Sequence, residues 1–221
     1  MVAEELINDM VPALTLKDNA EKAIFWMEEL RTKYLPVIDH AQFRGFISEE
    51  AIFENNDIGK ELSGIKLIGE NCYLNHSQHF FEAIKLYREN NIDMAAVLDD
   101  NGNYLGVITI EDIIKAFSQI TAIQSPGGII VISIRQIDYT LSEIVRLIEE
   151  NDAKVLSTYL KNDPEDESKI LLTLKINTTN LTRIIATLER FEYNIIAKYQ
   201  ETPDKITDFD RLDLLMKYIN I

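Results

Sequence analysis

The first half of the chain repeats itself. Shifted by 60 residues, Leu14 falls on Leu74, Ala23 on Ala83, Ile24 on Ile84, Val37 on Val97 and Asp39 on Asp99. One inserted residue then makes the offset 61, which lays Gly45 on Gly106, Ile47 on Ile108, Ser48 on Thr109, Glu50 on Glu111 and Ile52 on Ile113. Whatever fold one copy adopts, the other must adopt too, so the first half is two copies of one module.

Each copy has the same order of elements. A short extended piece leads to an amphipathic helix, over Asn19 to Arg31 in copy one and Ser77 to Asn90 in copy two. An apolar strand follows, Tyr34–Asp39 or Met94–Asp99, and in copy two it ends in the turn Asp99-Asp-Asn-Gly-Asn103. Asn-Gly tolerates the positive φ of a tight hairpin turn. The return strand, Gly45–Ser48 or Leu105–Thr109, runs into a helix opened by Glu49-Glu50 or Glu111-Asp112. Acids in a first turn complement the helix dipole. Ser48 and Thr109 stand where N-caps belong, so Thr109-x-x-Asp112 reads as helix capping on spacing alone.

From Gly127 onward the pattern changes to strand Ile129–Ile137, helix Leu141–Asn151, strand Ala153–Lys161, strand Ile170–Asn177, helix Asn180–Phe191 and strand Tyr193–Tyr199. Ile130, Ile132 and Ile134 alternate along the first strand, while Leu141, Ile144, Val145 and Ile148 share one helical face. That order is the ferredoxin-like βαββαβ plan. A last helix is expected within 207–219, where Leu212, Leu215, Met216 and Ile219 make one apolar stripe. The expected divisions are 1–62 and 63–124 for the modules, 127–200 for the third domain and 201–221 for the tail. A chain of 221 residues has room for two or three such small cores.

Composition narrows the function. A formal charge of −15 argues against a nucleic-acid or anionic-membrane surface, because phosphate binding is driven by Lys and Arg. No apolar run approaches the roughly 18–20 residues of a membrane helix, and the acidic start Met1–Asp9 does not read as an export signal, so a cytoplasmic location is expected. The lone cysteine, Cys72, excludes an internal disulfide and reads as a buried, inert thiol.

Other candidates read blandly. His76 and His79 lie at the expected opening of the second module's helix without the carboxylates or cysteines of a metal site, and His40 falls in a turn with no nucleophile patterned around it. The acidic loop Asn162–Ser168 contains Pro164 and lacks EF-hand spacing. The sequons at Asn75, Asn177 and Asn180 read as chance or capping, with Asn177 and Thr178 opening the following helix. Trp26 reads as core or interface. No catalytic constellation, metal set or cofactor motif is recognised, so a non-catalytic protein is expected.

The repeat, with Leu35-Pro-Val-Ile-Asp39 and Gly45-Phe-Ile-Ser48 in one copy and Gly106-Val-Ile-Thr-Ile-Glu-Asp112 in the other, resembles a tandem CBS (Bateman) module over residues 1 to about 122. Ile120-Thr-Ala-Ile-Gln-Ser-Pro-Gly-Gly128 then leads into a further domain as in the acetoin-utilisation CBS–ACT regulatory proteins, so the likeness runs close to full length. The resemblance implies an α+β or α/β fold of two β-α-β-β-α modules and an ACT-type domain. It also implies an adenosyl ligand such as AMP, ADP or ATP, with Thr109 and Asp112 on the ribose hydroxyls. A carboxylate accepts both hydrogen bonds of a 2′,3′-diol, and the adjoining helix N-terminus favours a phosphate.

Met94, Ala95 and Ala96, with Tyr73 and Leu74, are expected to line the base pocket, with plain core packing as the competing account. Copy one is expected to offer a weaker second cleft at Leu35, Pro36 and Ser48, but has Ala51 in the place of Asp112, which predicts one competent cleft per chain. ACT modules often bind an amino acid at the first strand–helix turn on a glycine. Gln136-Ile-Asp-Tyr-Thr140 has none, which favours a dimerisation role. The expected protein is a homodimeric nucleotide sensor acting on a regulated partner. The alternatives are a scaffold without ligand and an amino-acid sensor through the ACT-like domain.

Overall fold

A computed structural model describes residues 1–55 and 59–200. The expected tail helix at 207–219 lies outside the described residues. The chain divides into two compact units, Met1–Phe117 and Ser118 onward, so the two modules form one unit and the last turn of their final helix falls with the second.

Within the first unit the duplication is visible residue by residue. Module one runs β1 (Leu14–Thr15), α1 (Ala20–Leu30), β2 (Tyr34–Asp39), β3 (Gln42–Ser48) and α2 (Glu49–Asn55). Module two runs β4 (Tyr73–Asn75), α3 (Phe81–Asn90), β5 (Met94–Leu98), β6 (Tyr104–Thr109) and α4 (Ile110–Ile120). Each sheet has a parallel pair followed by an antiparallel pair, in the orders β1-β2-β3 and β4-β5-β6. Leu14 pairs with Val37 and Leu74 with Val97, the same register in both copies. The inserted residue is absorbed in the second hairpin. Copy one turns through His40 and Ala41, both at positive φ, whereas copy two uses Asp99–Asn103 with Gly102 at φ +81°. There Asp99 accepts from the Asn101 and Asn103 amides.

Helix α1 is built as its sequence specifies. Asn19 caps it through the Lys22 amide at 3.0 Å, and Ala20, Ala23 and Met27 turn inward beside Leu14, Leu35 and Ile52. Trp26 packs on this core, edge-on to Phe25. Helix α3 differs from expectation by beginning at Phe81 rather than Ser77. The intervening residues are taken by an Asn75 turn, in which its Oδ1 accepts from the Ser77 amide and hydroxyl, and by pairing of His79 with Val2. Cys72 is fully buried, and burial pushes its thiol up to about 11.

The segments leading into β1 and β4 are exchanged between modules. Residues before β1 lie on module two, where Ala3 N donates to Gln78 O at 2.8 Å and Asn8 N to Val107 O at 2.8 Å. The connection before β4 lies on module one, where Phe46 and Ile68 bond reciprocally at 2.7 and 2.9 Å. Each module's sheet is thus bordered by the segment that leads into the other module.

The N-terminal segment is also held by charge. His76 Nδ1 lies 3.2 Å from Glu4 Oε2 and Nε2 lies 3.4 Å from Asp100 Oδ1. A neutral imidazole can donate from only one nitrogen, so only the doubly protonated ring satisfies both carboxylates. The Glu4 hydrogen bond, then Asp100, raises the His76 pKa above the ordinary value. A raised folded-state pKa gives stability that is complete below the unfolded value of about 6.5 and fades as pH rises through the folded value. NMR titration is expected to give a His76 midpoint above about 6.5, and one at or below it would contradict this arrangement.

The second unit contains β7 (Gly128–Arg135), α5 (Leu141–Glu149), β8 (Val155–Asn162), β9 (Lys169–Ile176), α6 (Thr182–Arg190) and β10 (Asn194–Gln200). Its strands are antiparallel in the order β10-β7-β9-β8, the ferredoxin-like arrangement. Ile130 and Ile132 of β7 pack with Leu172 and Leu174 of β9 beneath Ile144, Leu147, Ile148, Ile184 and Leu188 of the two helices. Helix α6 starts at Thr182 rather than Asn180. Asn180 accepts from the Thr182 amide, while Asn177 is turned to the Lys154 amide instead of opening the helix.

Candidate functional site

The β6–α4 junction of module two concentrates the polar chemistry of the first unit. Strand β6 ends at Thr109 and α4 begins at once, leaving the helix's first amides to be satisfied by side chains. Asp112 Oδ2 accepts from the Thr109 amide at 3.0 Å and from its hydroxyl at 2.5 Å, while Thr109 Oγ1 accepts from the Asp112 amide at 3.3 Å. This is a reciprocal capping box, so the capping role of the pair is real.

A third residue completes the cluster. Asn8, from the exchanged N-terminal segment, donates its side-chain amide to Asp112 Oδ2 at 3.1 Å and is held in place by accepting from the Met10 amide at 3.0 Å. Lys115 Nζ lies 3.8 Å from Asp112 Oδ1. The carboxylate is only 14% exposed and has more acceptor capacity than a cap needs.

Beside this cluster is a cleft of about 250 Å³. Its walls come from Asn8, Met10 and Val11, from Leu30, Arg31 and Thr32 at the end of α1, from Asp93 and Met94, and from Thr109, Ile110, Glu111 and Lys115. Burial raises the Asp93 carboxyl above the usual carboxylate range. Asp112 itself does not line the cleft but is hydrogen-bonded to Asn8 and Thr109, which do.

Of the residues expected at the base pocket, only Met94 joins Thr109 on the wall. Ala95, Ala96 and Leu74 are buried in the core of the first unit and do not line this cleft. Tyr73 is 46% exposed and lines a separate groove with Phe43 and Arg44. Small side chains on β5 therefore make room for the module's own packing. Asn8 was missed because it precedes the first recognisable strand. The signal was available, since the 60-residue offset places it on Ile68, polar against apolar at a matched position.

Module one has the corresponding cleft, larger at about 690 Å³ but without the paired hydroxyl and carboxylate at the strand–helix junction. Ser48 caps the Ala51 amide at 3.1 Å, no carboxylate stands at 51, Lys33 replaces Asp93, and Ile68 replaces Asn8 on the wall. Leu35 is fully buried in the core and Pro36 is buried beside it. Volume does not recognise a diol and a positioned carboxylate does, so the smaller cleft is the better candidate.

The second unit holds a third cavity, of about 460 Å³, near the β7–α5 turn, with Arg135, Asp138, Glu143, Lys169 and Tyr193 on its wall. Arg135 Nε is already paired with Asp138 at 2.6 Å, so the turn's charges neutralise one another.

Residues 68–119 match the CBS domain family. A stretch of 84 residues is 31% identical to an uncharacterized protein of Methanocaldococcus jannaschii, and covers 38% of this chain and 28% of that relative. The chain thus spans under a third of that relative's length. Among solved structures, a CBS domain pair/ACT domain protein from Thermotoga maritima aligns over 54% of this chain and 98% of its own, with 16% identity and a TM-score of 0.49. The protein CBSX2, solved in complex with AMP, aligns over 54% and 97% with 17% identity and a TM-score of 0.46. Among the described residues no helix is long and apolar enough to cross a membrane.

Proposed function

We propose that this chain, which carries a CBS domain at residues 68–119, is a ligand-responsive regulator whose second-module cleft binds an adenosine nucleotide. The observation that carries this reading is the Asp112 carboxylate, held by Thr109 at a strand–helix junction and bridged by one neutral amide, Asn8.

A ribose 2′,3′-diol offers two hydroxyl donors to that carboxylate and displaces the Asn8 amide from it. Met94 and Val11 supply apolar surface for a base. Displacing Asn8 disturbs the N-terminal segment bonded to Gln78, His76 and Val107, which links occupancy to the way the modules hold each other. Such a response reaches a partner protein only when the ligand's affinity differs between the two arrangements. Phe81, Ile110 and Ile114 expose apolar surface on α3 and α4, consistent with a homodimer in which the partner surface is a second copy. Sedimentation velocity showing only monomer at micromolar concentration would remove that part.

Thermal denaturation with AMP, ADP, ATP, S-adenosylmethionine and NAD tests the reading. A ligand at 100 times its Kd stabilises by about 2.7 kcal/mol. Asp112→Ala also breaks the capping box, at about 1–2 kcal/mol, so the ligand-induced shift is compared and not the absolute Tm. The shift is expected in the wild type and is expected to vanish in the variant. An undiminished shift in Asp112→Ala would put the ligand elsewhere. No shift with any compound would favour a constitutive scaffold, the reading that the Asn8–Asp112 bond also supports, because there the carboxylate is permanently engaged.

A further inference from the structure

The charges around the second-module cleft are unequal in what they have left to bind. Asp93 and Glu111 are on its wall and Asp112 is hydrogen-bonded to it, against two cations, Arg31 and Lys115. Lys115 is already drawn toward Asp112. Arg31 is different: it is exposed, it ends α1 in the left-handed conformation at φ 53°, and among the described residues no carboxylate pairs with it. The Thr109–Asp112 cluster belongs to module two and this guanidinium to module one, and one small cleft is lined by residues of both.

Building on the nucleotide reading above, we propose that Arg31 is the specificity-determining residue of the cleft and selects a nucleoside monophosphate over the di- and triphosphate. One phosphate satisfies one guanidinium, which can donate two parallel hydrogen bonds to it. A second or third phosphate meets no further uncommitted cation among the described residues of the wall and enters the field of Asp93 and Glu111. Like charges held close in a partly desolvated site repel strongly. The cleft volume of about 250 Å³ lies below the roughly 300–1,000 Å³ of ordinary ligand pockets, which also favours the shorter ligand. A bound monophosphate touches both modules at once, ribose on one and phosphate on the other, so Arg31 also ties ligand size to the modules' relative arrangement.

Isothermal titration of the full chain, free of divalent metal, with adenosine, AMP, ADP and ATP tests this. AMP is expected to bind about tenfold tighter than adenosine, the scale of one charge-assisted contact, and ADP and ATP more weakly than AMP. Arg31→Asn places there the residue that module two carries at the matched position, Asn91, which adopts φ 54°. It is expected to bring AMP down to the affinity of adenosine while leaving adenosine unchanged. ATP binding as tightly as AMP to the wild type would overturn the proposal whatever the variant does, and so would an AMP advantage that survives Arg31→Asn. Failure of all four compounds to bind would remove the nucleotide reading itself, whereas binding in the wrong order removes only the selectivity.

Discussion

Phe46→Ala is expected to destabilise the first unit by about 3–5 kcal/mol, the cost of removing a fully buried aromatic ring that cannot be refilled. Phe46 lies on β3 of module one, yet its side chain is part of the cluster formed by Met94, Val97, Val107 and Phe80 of module two, with no exposed surface. Its ring also meets Phe43 edge-on at 5.0 Å. Its backbone carries both hydrogen bonds to Ile68, the residue on the wall of the module-one cleft. The ring therefore joins the two copies at the place where their lead-in segments exchange. Domains are typically stable by only about 5–15 kcal/mol, so the loss would consume much of what holds this unit together. Urea denaturation should show a lower midpoint with an unchanged slope. A change under about 1 kcal/mol would mean that the two modules do not share this core.

The module architecture was legible because duplication doubles every signal. A weak pattern in one copy, such as the Gly45–Ser48 strand, is reinforced by Gly106–Thr109 at the same offset, and the paired registers Leu14–Val37 and Leu74–Val97 repeat it in three dimensions. The ferredoxin-like order of the second unit was legible because alternation at Ile130, Ile132 and Ile134 and helical spacing at Leu141, Ile144 and Ile148 are local properties. Errors arose where long-range pairing decided the outcome. Helix α3 begins late because His79 pairs with Val2, far away in sequence, and nothing within Ser77–Phe80 encodes that partner.

The candidate site was half legible for the same reason. Thr109 and Asp112 are three residues apart and announce themselves at a strand–helix boundary. Asn8 and Arg31 reach the same cleft from segments 101 and 78 positions away from Thr109, by the N-terminal segment lying on module two and by the end of α1. Ala95 and Ala96, both fully buried, are ambiguous in the sequence because a small side chain has two meanings: room for a ligand ring, or room for the protein's own packing.

Gly127→Ala should be the most damaging small change in the second unit, with an expected cost of about 3 kcal/mol or more. Two effects add. Gly127 holds φ +155°, a conformation that L side chains rarely adopt and that costs about 1–3 kcal/mol when imposed on them. An added Cβ would also be driven into the Ile176 carbonyl oxygen, which is backbone and cannot rotate aside. Ile176 is the last residue of β9 and pairs with Gly128 at the start of β7, so relief of the clash must open the central strand pair of the sheet. Gly102→Ala separates the two contributions, because Gly102 also has positive φ, at +81°, but has open space where a Cβ would go. It should cost only about 1–2 kcal/mol, the conformational part. Hydrogen exchange reads the difference at each glycine's own sheet: in Gly127→Ala the β7 and β9 amides should lose protection, and in Gly102→Ala the β5 and β6 amides flanking its turn should keep it. If both substitutions cost the same, the close approach of Gly127 to β9 is not what fixes the sheet, and the conformational effect alone accounts for the glycine.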